Sequence, residues 1–206
     1  MVEFYERRRA LSKGERTRER LLRAAVDRFG SHGYRATSVS QLSRDAGLTP
    51  AAAYAYFDDK ESFWRAAIAA DLDVLQAEIF EAARRDERPL VGLMTSLVAG
   101  LQRHPLARRV MVEGSPADLQ LVLAHQLFAG ITQRLRGVLA ARKAAGLLPA
   151  SAEPDQFALG LETVMFSLVV SVVRAGLEES PERIEAVVAL MQAAAGGPPT
   201  FEERHR

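Results

Sequence analysis

Residues 38–57 read SVSQLSRDAGLTPAAAYAYF, and this stretch decides the fold. Ser38 and Gln41 have the spacing of a capping box, in which the serine hydroxyl accepts from the N–H three residues on and the glutamine side chain reaches back. Gly47 ends the first short helix. Thr49 then offers an N-cap, followed by a proline at the favoured first helical position. Two short helices joined by a glycine turn form a helix-turn-helix pattern, the second running to about residue 57.

This pattern predicts a packed side and an outward side. Leu42, Ala46, Leu48 and Ala53 are the expected packing residues, and the turn needs the positive φ that glycine tolerates at position 47. A recognition helix presents its N-terminal residues to the major groove. The residues left outward are Thr49, Pro50, Ala51, Ala52 and Ala55. Helix pairs in ordinary bundles share this spacing, so the spacing alone leaves a plain bundle open.

The sequence pattern in the rest of the chain predicts further helices, because apolar residues recur at helical spacing and strand signals are nearly absent. One helix of residues 15–31 precedes the pattern and stops at Gly33, and another follows it, capped by Asp58 or Asp59 and continuing to about residue 85. Later helices open mostly on prolines, and we place them at residues 89–103, 105–113, 116–145, 154–177 and 181–195. The predicted fold class is all-α.

Residues 18–63, RERLLRAAVDRFGSHGYRATSVSQLSRDAGLTPAAAYAYFDDKESF, resemble the DNA-binding domain of the TetR family. The run AYAYFDDKE at residues 53–61 carries much of the likeness. The remaining chain matches that family only in length and helical character. The resemblance implies an N-terminal three-helix DNA-binding domain and a larger C-terminal helical domain for ligand binding and dimerisation. We therefore expect a disordered basic arm (1–13), a DNA-binding domain (14–62), a ligand-binding and dimerisation domain (63–195) and a disordered tail (196–206).

The resemblance also implies residue roles. Thr37 and Ser38 would bind phosphates at a helix N-terminus, where the helix dipole favours an anion. Tyr54 and Tyr56 would place hydroxyls on the DNA backbone, and Lys60 would neutralise a phosphate. Core packing is the alternative for both tyrosines, and we expect Tyr54 to pack its ring and turn its hydroxyl outward. Such contacts position a protein on DNA without specifying sequence.

The outward surface of the second short helix is unusual, because its alanines offer no hydrogen bonds to base edges. Thr49 alone can form one, so base readout would rely on thymine methyl groups. Groove shape and the basic N-terminal arm would add specificity, although a solvated tail is an equal alternative for the arm. Two further aromatic residues, Phe57 and Trp64, are expected in the core.

The distribution of charge supports a polyanionic partner, and the composition argues against disulfides, thiolate metal sites and catalytic motifs. Residues 1–65 hold 13 Lys and Arg against 9 Asp and Glu, whereas residues 66–206 hold 14 against 17. A basic head on a mildly acidic body is typical of nucleic-acid binding, although many charge blocks are simply solvated. No cysteine is present, which removes disulfides and thiolate metal sites and fits a reducing cytoplasm. No catalytic motif stands out, so we expect no enzyme activity, cofactor or metal.

Residues 154–177 are apolar nearly all round, which requires burial on more than one side. With residues 181–195 they are expected to form half of a four-helix homodimer interface. An internal core helix is the alternative. Their longest apolar run, residues 164–173, is about half of what a membrane-spanning helix needs.

A ligand pocket is expected in the larger domain, lined by Leu97, Leu101, Met111, Phe128, Met165 and Phe166. Possible polar contacts for a ligand are His104, His125 and Glu162, although a lone histidine is more often structural or exposed. The apolar bias favours an apolar or amphipathic small molecule. Together these features predict a cytoplasmic, homodimeric, DNA-binding regulator, in the first instance a repressor released from operator DNA by its effector. An all-helical module that binds a protein or a membrane surface is the alternative.

Overall fold

The computed structural model describes residues 12–84, 89–175 and 181–194, in which every regular element is an α-helix. The helices are α1 Lys13–His32, α2 Val39–Asp45, α3 Pro50–Tyr54, α4 Lys60–Ala83, α5 Pro89–Arg103, α6 Pro105–Glu113, α7 Pro116–Leu123, α8 Gln126–Ala144, α9 Pro154–Ala175 and α10 Pro181–Ala194. The all-α prediction is confirmed. The arm and tail expected to be disordered lie outside the described residues, except that Ser12 caps α1 and Lys13 begins it.

The chain divides into two compact units. The head contains the residues up to Leu72 together with His104–Arg109, and the body contains Asp73–Arg103 and the residues from Val110 onward. The domain boundary predicted between residues 62 and 63 stays a prediction.

An aromatic cluster forms the core of the head. Phe29 of α1 is fully buried and meets the edge of Trp64 at 5.1 Å between ring centroids. Phe57 stacks on Phe63 at 3.9 Å. The predicted core positions of Phe57 and Trp64 are confirmed, since their exposed fractions are 5% and 6%.

Local signals set the helix ends of the head as predicted. Gly33 (φ +80°) and Gly47 (φ +66°) occupy the left-handed region, which favours glycine. Ser38 forms the expected capping box with Gln41, and Thr49 caps α3 ahead of its proline. α3 ends at Tyr54, three residues earlier than predicted.

Asp59, not Asp58, caps α4. Its carboxylate accepts from the Ser62 N–H at 2.7 Å, and the Asp59 N–H donates to the Ser62 hydroxyl at 3.2 Å. The backbone hydrogen bond from Ser62 holds the pKa of Asp59 below its ordinary value. A charged carboxylate at this position also suits the positive end of the helix dipole.

The segment His104–Arg109 is bound tightly to the rest of the head. His104 Nδ1 lies 2.7 Å from Asp71 Oδ1, and Asp71 Oδ2 accepts from the Ala107 N–H at 2.9 Å. Arg109 donates to the Gly30 carbonyl of α1 at 2.9 Å. A Cβ on Gly30 would lie 3.0 Å from the backbone nitrogen of Leu106, so the two backbones nearly touch.

In the body, α8 packs against α9, and α10 packs against α5. The apolar character of α9 is divided between two faces. Leu161, Met165 and Val169 are buried, whereas Leu159 and Val164 are 58% and 47% exposed. By length and composition α9 is also apolar enough to cross a membrane, but soluble core helices pass the same test, and 39% of its most apolar window is buried.

The single helix predicted at residues 116–145 is wrong, because two helices occupy it. α7 ends at Leu123 and α8 begins at Gln126, with His125 as its N-cap. His125 Nδ1 accepts from the Leu127 N–H at 3.1 Å, so the ring proton belongs on Nε2, which lies 3.3 Å from Asp73 Oδ1. The break between α7 and α8 thus lies where His125 contacts Asp73 of α4.

Candidate nucleic-acid interface

The two helices of the helix-turn-helix are packed as the sequence predicts. Leu42 and Ala53 are fully buried, Ala46 is 7% exposed, and Leu48 is half-buried. The turn between them passes through Gly47 in the left-handed region.

Two arginines of α1 fix the last turn of α2. Arg20 donates to the carbonyl of Ala46, the C-cap residue of α2. Arg28 forms an ion pair with Asp45, and the hydrogen bond from Arg28 holds the pKa of Asp45 below its ordinary value. Because the Ala46 carbonyl leads directly into Gly47, the arginine at position 20 also orients the turn.

A cleft of about 390 Å³ lies beside these contacts. It is lined by Arg20, Arg23, Ala24, Asp27, Asp45 and Ala46. Two arginines and two aspartates line it, so its formal charges balance.

The outward side of α3 is small and almost without polar groups. Thr49, Pro50, Ala51 and Ala55 are exposed, and Ala52 is half-buried. Thr49 Oγ1 accepts from the Ala52 N–H at 3.2 Å, which leaves the hydroxyl proton available to a base acceptor. A surface of this kind offers methyl groups and one hydroxyl to a DNA groove.

The structure separates the two residues predicted at the N-terminus of α2. Ser38 is exposed, with its hydroxyl in the capping box. Thr37 is only 3% exposed, and its hydroxyl donates to the Gly33 carbonyl at 2.9 Å. The Thr37 side chain therefore has no surface for a phosphate, and its predicted role is corrected to closing the turn that follows α1.

The two tyrosines and Lys60 differ in exposure. Tyr54 is 52% exposed, so its ring is less packed than predicted. Tyr56 is half-buried, and its hydroxyl would lie 3.8 Å from a Cβ at Gly14 in the first turn of α1. Lys60 is half-buried, and its Nζ lies 4.2 Å from the centroid of the Tyr34 ring. Sequence reasoning missed Tyr34, whose only local signal is its place directly after the helix-ending Gly33.

The predicted ligand residues lie in the body. Leu97, Leu101, Met111, Phe128 and Met165 are all at most 3% exposed, and Phe166 is half-buried. Phe128 and Phe166 meet edge to face at 5.3 Å, which joins α8 to α9 within this set.

Among the predicted polar contacts for a ligand, Glu162 lies near this ring pair. Glu162 is 8% exposed, and burial raises its pKa against the opposing effect of a hydrogen bond with Thr132. Thr132 and Glu162 are each one helical turn from a ring of the Phe128–Phe166 pair. His104 belongs to the head and is bound to Asp71, which agrees with the structural alternative for a lone histidine. Within the described residues, no group of three potential metal ligands comes together.

Comparison with known proteins agrees with this geometry. The family profile "Bacterial regulatory proteins, tetR family" matches residues 21–67. A curated relative, the uncharacterized HTH-type transcriptional regulator YdgC of Bacillus subtilis (strain 168), is 40% identical over 53 residues. That alignment spans 26% of this chain and 27% of the relative.

Solved structures resemble the chain over most of its length. The fatty acid degradation regulator FadR of Bacillus halodurans has a TM-score of 0.64 at 18% identity, with 95% of this chain and 100% of that chain covered. SmeT, the repressor of the Stenotrophomonas maltophilia multidrug efflux pump SmeDEF, has a TM-score of 0.59 at 20% identity, with 89% and 94% covered. At these identities the likeness shows the fold. Residues 21–67 therefore match the tetR family of bacterial regulatory proteins, and the chain over most of its length has the fold of these solved regulators.

Proposed function

We propose that the chain is a transcriptional repressor that binds operator DNA as a homodimer and is released by a small apolar or amphipathic effector. The observation that carries the proposal is the outward surface of α3, with Thr49 at its exposed N-terminal end and the turn fixed behind it by α1. This is the arrangement with which a recognition helix enters the major groove. The repressor role of SmeT supports the sign of the regulation. No catalysis or cofactor is part of the proposal, and a DNA-binding regulator of this kind acts in the cytoplasm.

The head would divide its contacts between DNA backbone and bases. Lys60, Ser38, Tyr54 and Tyr56 would contact phosphates, which position the head. Thr49 would donate to a base acceptor, and Ala51 and Ala52 would contact thymine methyl groups.

Two single substitutions test this division on a duplex selected from genomic fragments captured by the protein. Lys60→Ala should weaken binding to all sequences alike and reduce the salt slope by about 0.9 for each phosphate that is no longer neutralised. Thr49→Ala should instead relax one position in each half-site, at about 1–3 kcal/mol on the preferred base. Arg65→Ala is the matched control, because this exposed cation is already paired with Glu61 at 3.0 Å. An equal loss on every sequence for Thr49→Ala, with altered base preference for Lys60→Ala, would show that α3 is not the recognition helix.

Exposed apolar side chains support the homodimer. Phe157, Leu159 and Val164 of α9 are 38%, 58% and 47% exposed, and Leu190 of α10 is 66% exposed. Exposed apolar side chains on two successive helices are typical of a subunit interface. Sedimentation of the purified protein measures the assembly directly, and a monomer at micromolar concentration would contradict it.

The effector would bind among the apolar residues that join α8 and α9 in the body, with Glu162 as the polar contact. FadR is a fatty acid degradation regulator and SmeT represses a multidrug pump, so medium-chain fatty acids and cationic amphiphiles are suitable first probes. A true effector should raise the melting temperature and weaken operator binding together, since it acts through different affinities for two states. Tight ligands that stabilise the protein but leave DNA affinity unchanged would contradict the sensing role.

A further inference from the structure

The ammonium group of Lys60 is held by an aromatic ring rather than by a carboxylate. Its Nζ lies 4.2 Å from the centroid of the Tyr34 ring, well within the range of a cation–π contact. In the part of the chain that the structure describes, Lys60 forms no ion pair. The cation at the start of α4 is thus ordered without being neutralised.

Tyr34 is a fixed platform for this cation. Its ring is stacked with Phe29 at 6.1 Å and 23° between planes, and it meets Trp64 at 5.4 Å. Both neighbours belong to the buried core of the head. The Thr37 N–H donates to the Tyr34 carbonyl at 3.3 Å, which closes the turn that presents the ring.

Arg18 of the head also lies over a ring, that of Phe57, at a longer 5.3 Å from the centroid, but three other cations of the head are held by carboxylates. Arg23 pairs with Glu19 at 3.2 Å, Arg28 with Asp45, and Arg65 with Glu61 at 3.0 Å. A carboxylate partner competes with a DNA phosphate for the same cation, because it is itself an anion. A ring quadrupole attracts the cation and leaves its net charge available to a third group.

We propose that Tyr34 is a positioning residue for DNA binding, which holds the Lys60 ammonium ready to neutralise a backbone phosphate. The inference rests on the proposed function, since it needs DNA as the partner. A lysine side chain loses rotamer freedom when it binds a phosphate. Ordering it beforehand on a rigid ring removes part of that loss from the binding step.

A double-mutant cycle tests the proposal on a mixed-sequence DNA duplex over a salt series. This probe is sufficient because phosphate contacts do not depend on sequence. Tyr34→Leu should weaken binding about two- to fivefold per head, the range of a partly exposed cation–π contact. Tyr34→Phe keeps the ring and should bind like the wild-type protein. In the Lys60→Ala background, Tyr34→Leu should cause no further loss.

Side-chain NMR provides a second measurement that needs no DNA. The methylene protons next to Nζ of Lys60 should be shifted upfield by the ring, in the wild-type protein and in Tyr34→Phe but not in Tyr34→Leu. Melting curves show whether each variant is folded. If Tyr34→Leu is unfolded, Tyr34→Phe still provides the test.

Three outcomes would overturn the inference. Losses of equal size with and without Lys60 would show that Tyr34 acts through the structure of the head in general. A loss in Tyr34→Phe as large as in Tyr34→Leu would assign the effect to the hydroxyl. Failure of the wild-type protein to bind any duplex at low salt would remove the proposed function as well, whereas the first two outcomes leave that function intact.

Discussion

The joint between α1 and α2 in the head and the joint between α8 and α9 in the body are held by different interactions. At the first joint, Arg20 and Arg28 bind a carbonyl and a carboxylate at the end of a helix of seven residues. At the second, long helices bury apolar faces, with Phe128 meeting Phe166 edge to face. Glu162, an acidic group buried at this second joint, has its pKa raised by burial.

This difference follows from what each joint has to do. A short recognition unit offers little area to bury, so directional bonds to backbone groups must fix its orientation. Long amphipathic helices derive their stability from apolar burial, which is strong but not directional. Substitutions in the head should therefore disturb orientation and DNA affinity, and substitutions in the body should disturb stability and assembly.

The largest expected effect separates the two faces of α9. Val169 is 1% exposed, so Val169→Glu buries an unpaired charge and should destabilise the body by more than about 4 kcal/mol. Val164→Glu combined with Leu190→Glu places charges on positions that are exposed in the single chain and should leave each chain folded. The double variant should sediment as a monomer. If it remains a dimer, the partner chain covers a different surface.

A smaller effect compares two glycines. Gly47 has a φ of +66° in the turn of the head, so Gly47→Ala should cost about 1–2 kcal/mol in denaturant unfolding. Gly137 lies exposed in α8 with no atom within 4 Å of an added Cβ, so Gly137→Ala should instead stabilise by about 0.5–1 kcal/mol. If both substitutions changed the free energy of unfolding in the same direction, the left-handed conformation at Gly47 would not be needed.

The smallest effect concerns two acidic groups with opposite pH dependence. Burial raises the pKa of Glu162, so ionising it destabilises the fold as the pH rises through that value. Glu162→Gln should therefore raise the melting temperature at pH 7, and the gain should disappear below about pH 4, where glutamate becomes protonated in both states.

Asp45 provides the contrast for this measurement. The hydrogen bond from Arg28 lowers its pKa, so its stabilisation is present at pH 7 and is lost as the pH falls through the folded value. Asp45→Asn should lower the melting temperature at pH 7, with a difference that vanishes in acid. If Glu162→Gln also lowers the melting temperature at pH 7, the buried carboxyl is ionised and stabilised by its surroundings.

Features set by neighbouring residues could be predicted from the sequence. The caps at Ser38 and Thr49 and the stops at Gly33 and Gly47 depend on contacts within a few positions, and all four are confirmed. The same locality explains why the packing of Leu42 and Ala53 was predictable from spacing.

Features that depend on distant partners could not be predicted in this way. The break before α8 has no glycine or proline, and His125 there contacts Asp73 from another helix. Tyr34 gains its position from Phe29 and Trp64, which a pattern search along the chain does not bring together.

The attachment of His104–Arg109 to the head bears on how this protein could be divided or recombined. A fragment ending at Leu72 would retain Asp71 but lose both of its partners, His104 and the Ala107 N–H. It would also expose the backbone of Gly30, which lies against Leu106. The Gly30 carbonyl would lose the hydrogen bond from Arg109. The DNA-binding head is consequently not a contiguous, transplantable module. A chimera that exchanges effector domains would have to carry residues 104–109 with the head.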